Sequence, residues 1–277
     1  MKKTLSLAFI LLLTFSVFAQ DRQFLYTYQS LTLPKGSKDI EVWNTYRTGR
    51  KYAYNRLDQR IEFEVGVTDK LQTALYFNAE HTTFQSHLDT LGGIPDTAFY
   101  ALGSESAFSF SSEWKLRLSD PVADRIGSAL YAEITVGTME TELEGKLILD
   151  KKSGNNILAM NLVGEYELEL EAEPAKHEIE QEQEFKPEVD LAYMRMIKPH
   201  FGLGLEARYN GVIVKGEVEH SAVFGGPTLF YGHDKFFMIL NVNPQIANLQ
   251  VNDQNPESFD MTEYEKYQVR LLLGLSF

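Results

Sequence analysis

The chain contains no cysteine, which excludes a disulfide framework, thiol chemistry and a lipid anchor attached through cysteine. Beyond its first residues it has no apolar run approaching the roughly 20 residues that a membrane-spanning helix needs. Positive charge is scarce: 26 Lys and Arg stand against 39 Asp and Glu, a formal charge of −13. Nucleic acid is therefore not expected as a partner, because its phosphates need a positive surface. The motifs of common enzymes are missing as well. His81, His87, His177, His200, His220 and His233 are scattered and form no HExxH pattern, and no GxSxG elbow, nucleotide loop or redox-cofactor motif is present. Nothing has the ligand spacing of an EF-hand or a structural zinc site. No catalytic residue, cofactor or metal is assigned on this basis.

What is present begins at the N-terminus. Lys2 and Lys3 precede the apolar residues 5–18, and Val17-Phe18-Ala19 leads into the polar Gln20-Asp21-Arg22. This reads as a signal peptide over residues 1–19, cut before Gln20, with residues 20–277 forming a single barrel domain. Removing Lys2 and Lys3 leaves 24 basic residues against 39 acidic ones, a formal charge of −15.

The end of the chain carries the clearest pattern. Tyr267, Val269, Leu271, Leu273, Leu275 and Phe277 lie on one face of an extended strand, and Gln268, Arg270, Leu272, Gly274 and Ser276 on the other. A lipid-facing strand whose other side meets a wet lumen requires this alternation, whereas a soluble edge strand with such a ridge would aggregate. The segment YQVRLLLGLSF resembles the closing strand and assembly signal of Gram-negative outer-membrane β-barrels. That resemblance implies outer-membrane lipid and lipopolysaccharide as surroundings and the outer-membrane assembly machinery as a partner. YTYQSLTLPKGSKDIEVWNTY followed by LDQRIEFEVGVTDKLQTALYFN also resembles the opening of barrels grouped with phenol-degradation-pathway and transporter-like outer-membrane proteins. It transfers no catalytic residue.

The same alternation predicts twelve strands in an all-β, antiparallel, up-and-down transmembrane barrel. The first lies near residues 40–46, with its faces poorly marked, after a short segment 24–28 and the turn-like Pro34-Lys35-Gly36-Ser37. The others lie at 61–67, 71–80, 106–118, 126–136, 142–149, 158–173, 185–195, 201–209, 222–231, 236–246 and 267–277. Short links at 68–70, 119–125, 151–155, 196–200 and 232–235 alternate with a set that includes long links at 81–105, 172–184 and 247–263. One set is expected to face the periplasm together with both termini, and the other the outside. Counts of ten or fourteen strands remain open.

The faces opposite the apolar ridges are charged. Glu62 and Glu64, Glu113 with Lys115 and Arg117, Glu142 and Glu144 with Lys146, Glu206 with Arg208, and Arg270 all read as lumenal. The strongest acidic run, Glu165, Glu167, Glu169, Glu171 and Glu173, is answered by Glu188 and Asp190 on the returning strand. These groups suit a hydrated pore or vestibule, or pair across strands. The expected function is passive passage of small hydrophilic solutes, cations or neutral molecules. A membrane-embedded lipid hydrolase and a non-conducting structural or surface-binding barrel are the alternatives.

Overall fold

The computed structural model describes the backbone of residues 22–88, 99–173, 178–250 and 258–277, with side chains over 22–85, 102–170, 181–250 and 258–277. Its strands are β1 (Lys38–Thr48), β2 (Tyr54–Gly66), β3 (Leu71–Leu88), β4 (Phe99–Ser119), β5 (Gly127–Gly137), β6 (Glu140–Ser153), β7 (Asn156–Glu173), β8 (Glu178–Lys198), β9 (Phe201–Val214), β10 (Glu217–His233), β11 (Phe236–Asn248) and β12 (Tyr267–Ser276). Each is antiparallel to its sequence neighbours, and β12 returns to pair with β1, closing a twelve-stranded barrel. The last seam is bounded by Phe277, whose backbone exchanges hydrogen bonds with Lys38 at 2.9 and 3.1 Å.

Side chains alternate out and in along every strand because the pleat has a period of two. On β1 the outward Ile40, Val42 and Tyr46 are exposed, whereas the inward Asp39, Glu41, Trp43 and Thr45 are buried. The outward ridge continues through Leu75, Phe77, Phe110, Trp114, Leu162, Leu191 and Leu205, all at least 40% exposed in the isolated chain. Lipid covers that belt, and each large side chain moved from water into it contributes roughly 1.5–3 kcal/mol. A closed ladder is also the only β arrangement that leaves no backbone edge in hydrocarbon.

Two long links are shorter than the sequence suggests. The predicted loop 81–105 is largely strand, since β3 runs to Leu88 and β4 starts at Phe99. Likewise β7 and β8 take up most of 172–184. Backbone pairing continues past the regular alternation that marks the predicted strands, from Leu88 opposite Phe99 and from Glu173 opposite Glu178, so both hairpins extend beyond their predicted ends. Segments 89–98 and 174–177, with the Gly92-Gly93-Pro95 punctuation, lie outside the described residues.

The largest departure is inside. Residues 22–33, expected as a short lead-in to the first strand, turn into the lumen and are almost entirely buried. The chain leaves the terminal rim beside Gly66, where a Cβ would sit 2.1 Å from the Pro34 carbonyl oxygen. Only glycine fits that approach. Near this rim the inward faces of the wall become apolar, and Ile157, Met194, Phe230, Phe237, Ile239 and Leu272 pack around Phe24 and Leu25. The lumen is thus floored by a small hydrophobic core of the kind a water-filled pore would not have.

Candidate functional site

The wall holds the N-terminal segment by its backbone. Glu206 of β9, 1% exposed, accepts hydrogen bonds from three consecutive amides: Leu25 at 3.1 Å, Tyr26 at 2.7 Å and Thr27 at 3.0 Å. Thr228 Oγ1 donates to the same carboxylate at 2.7 Å. Asn161 of β7 acts as a strand edge in miniature: its Oδ1 accepts from the Tyr28 amide at 2.6 Å, and its Nδ2 donates to the Tyr28 carbonyl at 3.0 Å. Gln72 of β3 accepts from the Leu33 amide at 2.8 Å. A buried extended segment without a strand partner must find such side-chain acceptors and donors.

Aromatic rings fix the same segment laterally. The guanidinium groups of Arg208 and Arg270 lie 3.9 and 4.0 Å from the centre of the Tyr26 ring. Tyr28 lies between Arg22, at 4.2 Å, and Lys146, at 4.4 Å, with Tyr131 edge-on at 5.1 Å. Each such contact contributes roughly 0.5–2 kcal/mol where water is excluded.

The other residues read as lumenal also sit on the inner face. Glu62, Glu64, Glu113 and Lys115 are at most 1% exposed. Arg117 lies at the terminal rim, where its guanidinium donates to the Asp69 carbonyl at 2.7 Å and approaches Asp120 at 3.5 Å. Lys146 pairs with Glu144 at 3.0 Å, and Glu188 and Asp190 approach Arg208 at 2.7 and 3.5 Å. Glu142, Glu165 and Glu169 are half-buried, and Glu167 is buried against Lys186, which also meets Glu184 at 3.1 Å. On β12, Tyr267 and Leu275 face outward and are about half exposed, as is the terminal Phe277, while Val269, Leu271 and Leu273 share that face and are partly covered. Glu171 and Glu173 lie where no side chain is described.

A cavity of about 250 Å³ remains on the far side of the segment from the terminal rim. Arg47, Arg56, Arg60 and Arg270 line one side, and Thr135, Glu140 and Glu142 another. Arg47 and Arg56 share Asp58 at 2.6 and 2.5 Å, Arg56 also contacts Glu80, and Arg60 donates to Asn78 at 2.8 Å. With the first strand expected to end at Tyr46 and the second to start at Ile61, Arg47, Arg56 and Arg60 fall outside the predicted strands, whereas Arg270 is among the residues expected in the lumen. The polar alternation of Arg56, Asp58 and Arg60 with Asn55, Leu57 and Gln59 was the available signal. Across the lumen, β5–β8 present Glu133, Glu142, Glu144, Glu165, Glu167 and Glu188 against two lysines, Lys146 and Lys186.

At the opposite rim residues 258–266 fold back over the opening. Gln245 and Asp260 exchange hydrogen bonds at 2.7 and 2.9 Å, Tyr264 packs edge-on to Phe224, and Glu265 meets Arg50 at 3.0 Å. His220 Nδ1 lies 2.7 Å from Asp260 Oδ2, so this histidine orients a loop and is not directed at the adjacent Ser221 hydroxyl. The pair lies above the lipid belt. The hydrogen bond to Asp260 raises the His220 pKa, and burial only partly opposes it. Burial works to raise the Asp260 carboxyl, but hydrogen bonds from His220 and Thr262 outweigh it and hold it at about 2. A raised histidine pKa contributes stability that is complete below its unfolded value near 6.5 and is lost as pH rises through the folded value. Hydrogen exchange over 258–266 is therefore expected to be slower in the wild type than in His220→Asn at pH 5.5. The ratio should shrink toward one as pH rises, and equal rates at both ends would disprove the role.

Solved structures share this architecture. The COG4313 outer membrane channel from Pseudomonas putida F1 superposes with a TM-score of 0.59 at 13% identity, covering 90% of this chain and 98% of that one. The translocator domain of the autotransporter NalP from Neisseria meningitidis gives 0.54 at 10% identity, covering 88% and 90%. The NanC porin gives 0.51 at 9% identity, covering 85% and 98%. At these identities the likeness is one of fold, that of an outer-membrane barrel. No curated protein matches the sequence. Residues 16–277 match the model of a family of unknown function, DUF6662, and the chain belongs to that family.

Proposed function

We propose that this barrel is a passive outer-membrane channel for small hydrophilic solutes, gated by its own residues 22–33. The observation that carries the reading is the charged cavity beyond the segment, a space that a purely structural barrel would fill with packed side chains. Neighbours described as a channel and a porin share the fold and support it. The segment is held by lumenal side chains and takes no part in the strand pairing, so it can withdraw without breaking the barrel ladder. In this reading residues 1–19 are a cleaved export signal. The rim bearing Ser37, Phe277 and the short turns is periplasmic, and solute enters from the loop rim.

The acidic wall of β5–β8 favours cations and neutral solutes, because its carboxylates outnumber its lysines. Reconstitution in planar bilayers tests the proposal. Wild-type protein should conduct, and Glu165→Gln/Glu167→Gln/Glu169→Gln should lower the cation-to-anion permeability ratio several-fold without changing heat-modifiable migration. Correctly folded protein that never conducts would overturn the channel reading. Unchanged selectivity would overturn the role of these glutamates alone.

A further inference from the structure

Five carboxylates meet on the inner face of β1, β2 and β4, beside the lumenal segment 22–33, the plug, and away from the cavity. Asp39 pairs in register with Glu64, and Glu41 with Glu62. Glu64 is followed across the wall by Ala74 and then Glu113. The small Ala74 side chain lets Glu113 reach over β3 toward β2. Oxygens of Glu62, Glu64 and Glu113 lie within 4.8 Å of one another, as do those of Asp39, Glu41 and Glu64. All five residues are at most 1% exposed.

Among the described residues, Arg22 of the inserted segment lies 3.7 Å from Glu64, and Lys115 stands two residues along β4 from Glu113. A second observation points to a ligand. Both carboxylate oxygens of Glu62 and both of Glu113 are fully enclosed, and no N–H or O–H from outside the cluster reaches them. The Tyr76 hydroxyl, on the register partner of Glu62, is enclosed and unpartnered too. Enclosed carboxylates without a donor cost several kcal/mol each. A metal ion satisfies them where a hydrogen-bond donor does not.

We propose that Glu62, Glu64 and Glu113 bind one hard divalent cation, such as Ca²⁺, Mg²⁺ or Mn²⁺, with Asp39 and Glu41 supporting its charge. The spacing is compatible with this, since oxygens that share one ion at roughly 2.4 Å each can be at most about 4.8 Å apart. The donor set is all oxygen, without imidazole or thiolate, which favours these ions over zinc or copper. Bound there, the ion ties β1, β2 and β4 together behind Arg22 and stiffens the wall against which the plug rests. The site does not depend on whether the barrel conducts.

The test uses the full-length mature protein, purified in detergent, stripped with a chelator and exchanged into buffer at pH 7.5. Mn²⁺ titration followed by electron paramagnetic resonance, with Ca²⁺ calorimetry alongside, should give one tight site per chain. Glu62→Gln/Glu113→Gln should weaken that site at least roughly a hundredfold, since losing even an outer-shell partner of a metal ligand costs about 10–100-fold, while keeping heat-modifiable migration. If that variant fails to fold, Glu113→Gln alone is measured, with a smaller weakening expected. Folded wild type that binds no Mn²⁺, Ca²⁺ or Mg²⁺ at millimolar concentration would mean that protons alone balance the cluster, and would overturn the site. Undiminished binding by the folded variants would place the ion elsewhere and overturn it equally.

Discussion

Deleting residues 22–33 from the mature protein is expected to raise single-channel conductance by roughly an order of magnitude, because conductance follows the narrowest cross-section and the segment crosses the lumen of a twelve-stranded barrel. The barrel ladder does not include these residues, so the truncated protein should still migrate as a heat-modifiable species. A point variant gives the same answer by a gentler route. Glu206→Ala removes the acceptor of three backbone amides and leaves Thr228 and Asn241 without their shared partner. Hydrogen bonds to a charged group contribute roughly 1.5–3 kcal/mol each, and a net loss of even about 3 kcal/mol, less than the three amide bonds together, shifts a seated-to-released ratio about 150-fold. Glu206→Ala should therefore flicker between the wild-type and truncated conductance levels. Truncated protein that is folded yet conducts like the wild type would show that residues 22–33 do not limit passage.

The contrast between wall and plug explains what the sequence revealed. Strand number and faces were legible because a lipid belt demands nine or more residues of alternation, as in Phe108 to Leu118, and nothing else in a chain of this composition produces it. The plug was not legible because residues 24–28, FLYTY, carry no period: each side chain meets a different part of the wall. A signal did exist on the wall itself. Runs such as Ile157-Leu158-Ala159-Met160 and Phe236 to Leu240 are apolar on both faces, and a water-filled pore gives no reason for an apolar inner face. Those runs line the floor on which Phe24 and Leu25 rest. Glu206 and Arg208 were identified as lumenal from alternation, yet their roles, one accepting backbone amides and the other covering the Tyr26 ring, depend on a segment about 180 residues away in sequence. The acidic cluster was hidden similarly: Glu62, Glu64 and Glu113 read as separate pore-lining charges until the register of β2, β3 and β4 brought them together.

Deleting Phe277 is expected to reduce mature, heat-modifiable protein in cells several-fold while leaving precursor synthesis unchanged. The folded barrel gives little reason for such a loss. The Phe277 side chain is about half exposed on the outer face, and its backbone contributes one pair of hydrogen bonds to Lys38 at the edge of the β1–β12 seam. Removing that pair costs about 1–3 kcal/mol at equilibrium, small beside a ladder that runs from Asp39 opposite Ser276 to Thr48 opposite Tyr267. A role in recognition predicts a different division of effects. Purified protein lacking Phe277, refolded from urea into detergent micelles, should reach nearly the wild-type yield, because no assembly factor takes part. In cells the same deletion should strand the chain before insertion, because the ridge of Tyr267, Val269, Leu271, Leu273 and Leu275 then lacks its terminal aromatic ring. Phe277→Tyr should restore most of the yield, since the ring and the outward position are kept, whereas Phe277→Ser should behave like the deletion. Equal losses in micelles and in cells would assign Phe277 to seam stability. Wild-type levels in both would leave the C-terminal residue without a part in assembly.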